Sequence, residues 1–219
     1  MTAFSLKVIA IITMLADHVG MVFFPQVLGW RIVGRLAFPI FAWLIANGYR
    51  HTSNLKGYVT RLAMLAVISQ APYLLAKRIN FPGPWEWNIF VTLILGLVAI
   101  AMYQRIGSRF NKWMAVVVVA VLAEVLRADY GAFGVLLMVG FHVTYGRKWA
   151  MTAMMTALVV GFFWLELLIG FWVKAYSLAV LPLIADYNGQ PGSTRFKWWF
   201  YWFYPVHLMV LYLVKMAAG

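Results

Sequence analysis

From Leu6 to Phe24 the chain carries an apolar run long enough to cross a lipid bilayer, and comparable runs recur to its far end. A hydrocarbon layer ~30 Å thick takes about 20 residues of α-helix. Ordinary soluble domains are ~45–50% apolar and ~25% charged. Here the figures are 64% and 11%. In water that composition would leave much apolar surface uncovered, which excludes both a soluble globular protein and a disordered one. The runs are continuous rather than alternating, which excludes a transmembrane barrel. The expectation is an all-α, polytopic integral membrane protein. No polar linker or internal repeat divides it, so it reads as a single domain over residues 1–219.

Nine candidate spans follow, at about 6–24, 32–49, 58–76, 88–104, 113–126, 131–145, 149–167, 171–186 and 198–217. The seventh and eighth lack a clear turn between them, so one of the two is expected to be short, re-entrant or merged. The first run is too long for the apolar core of a leader and lacks a small-residue cleavage site, so it reads as a span. With no Cys, disulfides, thiolate nucleophiles and Cys-ligated metals drop out. No HExxH or similar ligand cluster exists either, so no metal is expected.

Lys and Arg number 18 against 6 Asp and Glu, a formal net charge of +12. In a soluble chain this would point to nucleic acid. Between apolar spans it reads as positive cytoplasmic loops, with no nucleic-acid partner. Nine spans place Lys7, Arg50, Lys56, Arg61, Arg105, Arg109, Lys112, Arg147, Lys148, Arg195 and Lys197 on one side. That side becomes the cytoplasmic one, and the N-terminus lies there. These inner cations have a second reading, as holders of phosphate.

A charge at mid-bilayer costs about 2.5–3.5 kcal/mol on insertion scales and marks a pathway or site. Asp17–His18 lies inside the first span, with His18 roughly 16 Å from Lys7 along a helix. The two readings are a packing hydrogen bond and a general base or proton carrier. Successive helical residues point ~100° apart, so Asp17 is expected to pair with a cation on another helix rather than with His18. Arg31 and Arg35, four apart on one helix face, could supply it. Arg31 suits snorkelling to headgroups; Arg35 lies deeper. Pro39 is expected to free a carbonyl within the second span. His207 lies at similar depth in the last span, so His18 and His207 could face one cavity. His51 and His142 are weaker candidates. Asn88 and Thr92 open the fourth span, Ser69–Gln70 lies inside the third, and Asp129 is expected to cap the sixth.

Several stretches together carry a resemblance. They are Leu6–Lys7–Val8–Ile9–Ala10–Ile11–Ile12–Thr13–Met14 running into Asp17–His18, then Gly34–Arg35–Leu36–Ala37–Phe38–Pro39–Ile40–Phe41 and Asn88–Ile89–Phe90–Val91–Thr92–Leu93. Further on stand Asp129–Tyr130–Gly131–Ala132–Phe133–Gly134, Tyr187–Asn188–Gly189 and Tyr204–Pro205–Val206–His207–Leu208. In that order, over nearly the whole chain, they resemble the TraX family. That family is similar to a wider group of transmembrane acyltransferases, including the lysosomal heparan-α-glucosaminide N-acetyltransferase.

The resemblance implies a membrane-embedded acetyltransferase of the bacterial inner membrane, with a transmembrane acyltransferase-like bundle. It would move an acetyl group from cytosolic acetyl-CoA to an acceptor amine or hydroxyl on the outer side: a pilin N-terminus, a sugar or a small metabolite. His18 matches the family histidine and would be the base or a transient acetyl carrier. Asp17 and Arg35 would set its field and orientation. His207 and Asn88 would contact the thioester or oxyanion. Arg50, Arg61, Arg105, Arg109, Arg195 and Lys197 would hold the donor's phosphates. The rival reading is a proton-coupled transporter of a small solute, to which a buried Asp, two His and several Arg are equally suited.

Overall fold

The computed structural model describes residues 1–170, 172–193 and 195–218, less the side chain of Lys197. The elements in order are α1 (Ala3–Phe23), α2 (Leu28–Gly34), α3 (Ala37–His51), α4 (Leu55–Arg78), α5 (Ile89–Arg105) and α6 (Arg109–Val125). Then come α7 (Gly131–Val143), α8 (Lys148–Leu168), a 3-10 helix (Trp172–Val180), α9 (Leu181–Ala185) and α10 (Lys197–Ala217). The first, third to seventh and ninth expected spans thus fall on α1, α4, α5, α6, α7, α8 and α10. Among the described residues five stretches are long and apolar enough to cross a membrane: Ala3–Phe23, Leu28–His51, Leu55–Arg78, Lys148–Leu168 and Trp198–Ala217. This marks an all-helical membrane protein. Ile89–Arg105, Gly131–Val143 and Trp172–Ala185 are apolar but shorter.

The second expected span is not one continuous helix. It breaks at Arg35–Leu36, between α2 and α3. Pro39 explains the break: its ring clashes with the carbonyl four residues back, and it has no N–H to give that carbonyl. That carbonyl belongs to Arg35. The chain tightens there instead, with the Arg35 amide donating to Arg31 O at 3.2 Å and Ile32 O at 3.1 Å. Pro39 then sits in the first turn of a new helix, where no N–H is needed. Between the seventh and eighth expected spans, α8 stops at Leu168 and Gly170 turns with φ +82°. The eighth segment is 3-10 helix followed by the short α9, not a full α-helical span.

Contacts divide the chain into two compact units. Unit 1 is Met1–Phe41, Ile68–Pro84 and Val159–Gly219; unit 2 is Ala42–Val67 and Trp85–Leu158. In unit 1, α1 packs on α2 and α10, and the 3-10 helix packs on α2. Its interior includes Leu6, Ala10, Ile40, Val180 and Leu208, all fully buried. Two glycines set the α1–α2 approach. A Cβ on Gly20 would overlap Trp30, and one on Gly34 would overlap Asp17. Close helix approach over small residues is how helices associate where no water drives them together. At one end of unit 1 the Asn80 amide donates to Met21 O (2.8 Å) and Val22 O (2.9 Å), closing the last carbonyls of α1. At the other, the N-terminal ammonium binds the Asp186 carboxylate at 3.0 Å.

In unit 2, α5, α6 and α7 pack mutually around the buried Leu97, Ile100, Val116, Leu137, Met138 and Phe141. One end is tied by a parallel bridge between Trp87 and Ala128. There Trp87 N donates to Arg127 O at 3.1 Å and Asp129 N to Trp87 O at 3.0 Å. The cap of α7 is not Asp129. Glu124 Oε1 accepts from the Ala132 amide at 2.8 Å, because the turn runs through left-handed Arg127 and Tyr130 and carries Glu124 back to the helix start.

Candidate functional site

Asp17 and His18 face different neighbours, as one helical step of ~100° requires. The Asp17 side faces α2. Arg31 Nη1 lies 3.1 Å from Asp17 Oδ2, and Arg35 Nη2 lies 3.2 Å from Oδ1. Both carboxylate oxygens are therefore engaged. Arg35 Nε also donates to Arg31 O at 3.2 Å. The absence of a side chain at Gly34 leaves the room that Asp17 fills. The carboxylate is 15% exposed and Arg35 14%, against 31% for Arg31, so Arg31 is the wetter partner.

The His18 side faces α10. His18 Nδ1 lies 2.7 Å from His207 Nε2, and the two rings stack with centroids 4.9 Å apart. His207 Nδ1 lies 2.7 Å from Phe203 O, one turn back on α10. Phe203 stacks on the His207 ring at 4.7 Å, and Tyr204 meets His18 edge-on at 6.0 Å.

This chain of contacts fixes where the protons lie. A carbonyl oxygen only accepts, so His207 Nδ1 carries a hydrogen and donates it to Phe203 O. In the neutral ring Nε2 is then a lone pair, and a neutral imidazole has one donor and one acceptor nitrogen. His18 Nδ1 must therefore donate to it, which leaves His18 Nε2 as the unprotonated nitrogen. Among the described residues no protein group hydrogen-bonds that atom. The result is an imidazole whose tautomer is set by a second imidazole and a backbone carbonyl, the same orienting logic that a carboxylate supplies in a catalytic triad.

The other sequence candidates lie in several places. Asn88 is fully buried in unit 2. It caps α5 through Oδ1, which accepts from Phe90 N at 3.0 Å, and its amide donates to Ala66 O at 2.6 Å. Thr92 donates to Asp129 O. Arg50, Arg61, Arg105 and Arg109 belong to unit 2 and Arg195 to unit 1. Lys197 falls outside the described side chains. Arg50 stacks over Tyr145 at 4.3 Å and donates to His142 O at 3.5 Å. Arg61 stacks over Tyr58 at 5.7 Å, and its Nε is buried without an acceptor. Ser69 is fully buried, and its hydroxyl has no partner. His142 is the weaker candidate that lies deepest in unit 2. It is 4% exposed, meets the Gln104 amide through Nε2 and leaves Nδ1 unpartnered. The available signal was its position inside an apolar helix rather than in a loop. No group of three or more His, Cys, Asp or Glu is placed to hold a metal among the described residues.

Fold and site together define a helical membrane protein with a paired-imidazole centre beside an Asp–Arg–Arg cluster. The TraX protein family matches residues 3–215, and the chain belongs to that family. It is similar to the probable fimbrial assembly protein FimC, serogroup H1, of Dichelobacter nodosus. The two are 28% identical over 237 aligned positions, covering 98% of this chain and 96% of that protein. A second relative is the uncharacterized protein RP591 of Rickettsia prowazekii (strain Madrid E), 29% identical over 138 positions, covering 61% of this chain and 52% of that protein. No solved structure matches the chain.

Proposed function

We propose that the protein is a membrane-embedded acetyltransferase serving pilus or fimbrial assembly, with His18 as its general base. The reading is carried by one observation: His18 Nδ1 stands 2.7 Å from His207 Nε2, which leaves His18 Nε2 free to accept a proton. TraX membership and the likeness to a fimbrial assembly protein support the pilus context. They do not favour the transporter alternative.

In this reading His18 Nε2 takes the proton of the acceptor amine or hydroxyl as that atom bonds to the thioester carbonyl carbon of acetyl-CoA. The carbon–sulfur bond breaks, the thiolate leaves and the proton on His18 returns to it or to water. His207 accepts the hydrogen bond of the His18 imidazolium and holds the ring in place. Asp17, with Arg31 and Arg35, anchors α1 against α2 next to the base and sets the field there. A proton-transfer group of this kind supplies ~10²–10⁴-fold in rate. The acceptor would be the N-terminal amine of a pilin subunit. The nine-span count and the inner-membrane location with a cytoplasmic N-terminus belong to the same proposal, supported by the inner clustering of Lys and Arg.

The test is transfer of radiolabelled acetyl from acetyl-CoA to purified pilin by the full chain in lipid nanodiscs. Label on the pilin N-terminus that depends on His18 is the expected result. Full transfer by a folded His18→Ala protein, or no transfer by the wild type, overturns the reading.

A further inference from the structure

Unit 1 carries three side-chain carboxylates, Asp17, Glu166 and Asp186. Each already has a cation. Asp186 binds the N-terminal ammonium at 3.0 Å. Glu166 binds Lys174 Nζ at 2.6 Å, on the 3-10 helix that packs against α2. Asp17 has two cations, Arg31 and Arg35. One guanidinium neutralises one carboxylate, so the Asp17 cluster holds a surplus of one positive charge. No other carboxylate of unit 1 is left to offset it. An uncompensated charge at membrane depth is costly and marks a site.

The surplus belongs to Arg31. Arg35 is tied twice, to Asp17 Oδ1 and through Nε to Arg31 O. Arg31 gives Asp17 one hydrogen bond from Nη1 at 3.1 Å and makes no other among the described residues. A guanidinium has five N–H donors, so most of those of Arg31 remain to be used. Snorkelling to a headgroup needs a side chain that is free to extend. This one is held on Asp17, and α2 itself is held on α1 over Gly20 and Gly34, with Trp30 stacked on Phe24 at 5.8 Å. Of the two guanidinium charges, that of Arg31 acts more strongly on the His18 ring. Its spare donors match a carboxylate, which a guanidinium binds through two parallel N–H groups. Asp17 immediately precedes His18, so the guanidinium and the imidazole are one residue and one ion pair apart. That is roughly 10 Å, which about three extended residues span.

We propose that Arg31 binds a carboxylate of the acceptor, so that the acceptor is a peptide with an acidic residue within about three positions of its reacting amine. The step at the amine rests on the acetyltransferase reading above; the anion site does not. An anionic lipid headgroup carries the same charge, and the test separates the two sources.

The probes are two C-terminally amidated tripeptides, Ala-Glu-Ala and Ala-Gln-Ala, which differ by one charge. They are titrated by calorimetry onto the full chain in phosphatidylcholine nanodiscs. The variants are Arg31→Gln, Arg31→Lys and, as a control cation at the end of α4, Arg78→Gln. Arg31→Gln keeps the Asp17–Arg35 pair and should fold; circular dichroism verifies it, and the wild-type comparison needs no variant. Wild type should bind the acidic peptide at least tenfold more tightly than the neutral one. The preference should fall within twofold in Arg31→Gln, survive in part in Arg31→Lys and persist in Arg78→Gln. Phosphatidylglycerol added to the nanodiscs should leave it within twofold. Equal wild-type affinities, a preference that survives Arg31→Gln, or equal losses in Arg31→Gln and Arg78→Gln overturns the proposal. Loss of the preference on adding phosphatidylglycerol overturns the acceptor as the source in favour of a headgroup. Labelled acetyl-CoA then reads the chemistry, with a lower KM expected for the acidic peptide. A binding preference without any transfer overturns the acetyltransferase reading and leaves the anion site standing. Transfer to both peptides with no preference does the reverse.

Discussion

His18 and His207 lie 189 positions apart in the chain, yet their Nδ1 and Nε2 atoms meet at 2.7 Å. The Phe203 carbonyl on the far side of His207 makes the pair directional. Hydrogens point from His18 to His207 to the backbone, and the ring nitrogen of the pair left with neither a hydrogen nor a protein partner among the described residues is His18 Nε2. A pair built this way is asymmetric, so its two members should respond differently to substitution.

Replacing His18 with Ala removes the proposed base and, on the acetyltransferase reading, should reduce acetyl transfer by about 100- to 10,000-fold. Replacing His207 with Phe keeps a packed ring but no acceptor for His18 Nδ1–H, and should cost about tenfold to a hundredfold. His207→Gln restores an acceptor oxygen and should recover part of that loss. Initial rates of labelled acetyl transfer, with thermal unfolding alongside, check the order His18→Ala below His207→Phe below His207→Gln. Equal rates for the two His207 variants would mean that His207 contributes packing alone.

The Asp17 cluster makes a stability prediction. Asp17→Ala leaves Arg31 and Arg35 as neighbouring like charges where both now bind one carboxylate. Breaking a buried pair costs ~3–5 kcal/mol, but exposed pairs are worth only ~0–1. With Arg31 partly exposed, a loss of about 2 kcal/mol is expected. Gly34→Val places a side chain into the volume of Asp17 and should destabilise by about 1–3 kcal/mol. The two are coupled through the same space, so the double variant should lose less than the sum. Thermal unfolding in detergent measures all three.

The sequence made the helices legible because apolar length is a one-dimensional signal. It also exposed the depth of His18 and His207, since depth is only a count along a helix. Which face each residue presents is not encoded that way. Asp17 could be expected to turn away from His18, but its double engagement by Arg31 and Arg35 needed α2 to approach over Gly20 and Gly34. In the sequence the break at Arg35–Leu36 shows only as Pro39, which by itself predicts one freed carbonyl within a continuous helix rather than a restart. Asn88 stood out as a polar residue at a span's edge, a description that fits a cap as well as a ligand contact. His142 reads as a weaker candidate from its aromatic and β-branched neighbours, a pattern that says nothing of the Gln104 amide that meets it in the fold.

Asn88 should prove structurally indispensable whatever else it does. It is fully buried, and it serves both α5 and the Ala66 carbonyl. A lost cap costs ~1 kcal/mol and a buried group left unpaired ~1–3. Asn88→Ala should therefore lose about 2–4 kcal/mol. Asn88→Asp keeps the cap oxygen and lacks the donor to Ala66 O, so it isolates the second contribution. Hydrogen exchange at the Phe90 amide should rise in Asn88→Ala and stay protected in Asn88→Asp.

The turn into α7 offers a test of coupling. Gly131 has φ +44°, and a Cβ there would run into the Glu124 carboxylate, which is held in place by the Ala132 amide at 2.8 Å. Gly131→Ala thus meets two obstacles, a left-handed backbone and the carboxylate. Left-handed conformation alone costs a non-glycine residue ~1–2 kcal/mol. Glu124→Ala loses the cap, for about 1 kcal/mol, but clears the space. In the double variant only the backbone strain and the lost cap remain. Its destabilisation should fall short of the sum of the singles by about 0.5–1.5 kcal/mol, within the range measured for contacting residues. Strict additivity in a double-mutant cycle of unfolding free energies would show that Glu124 moves aside without resistance and does not hold the start of α7.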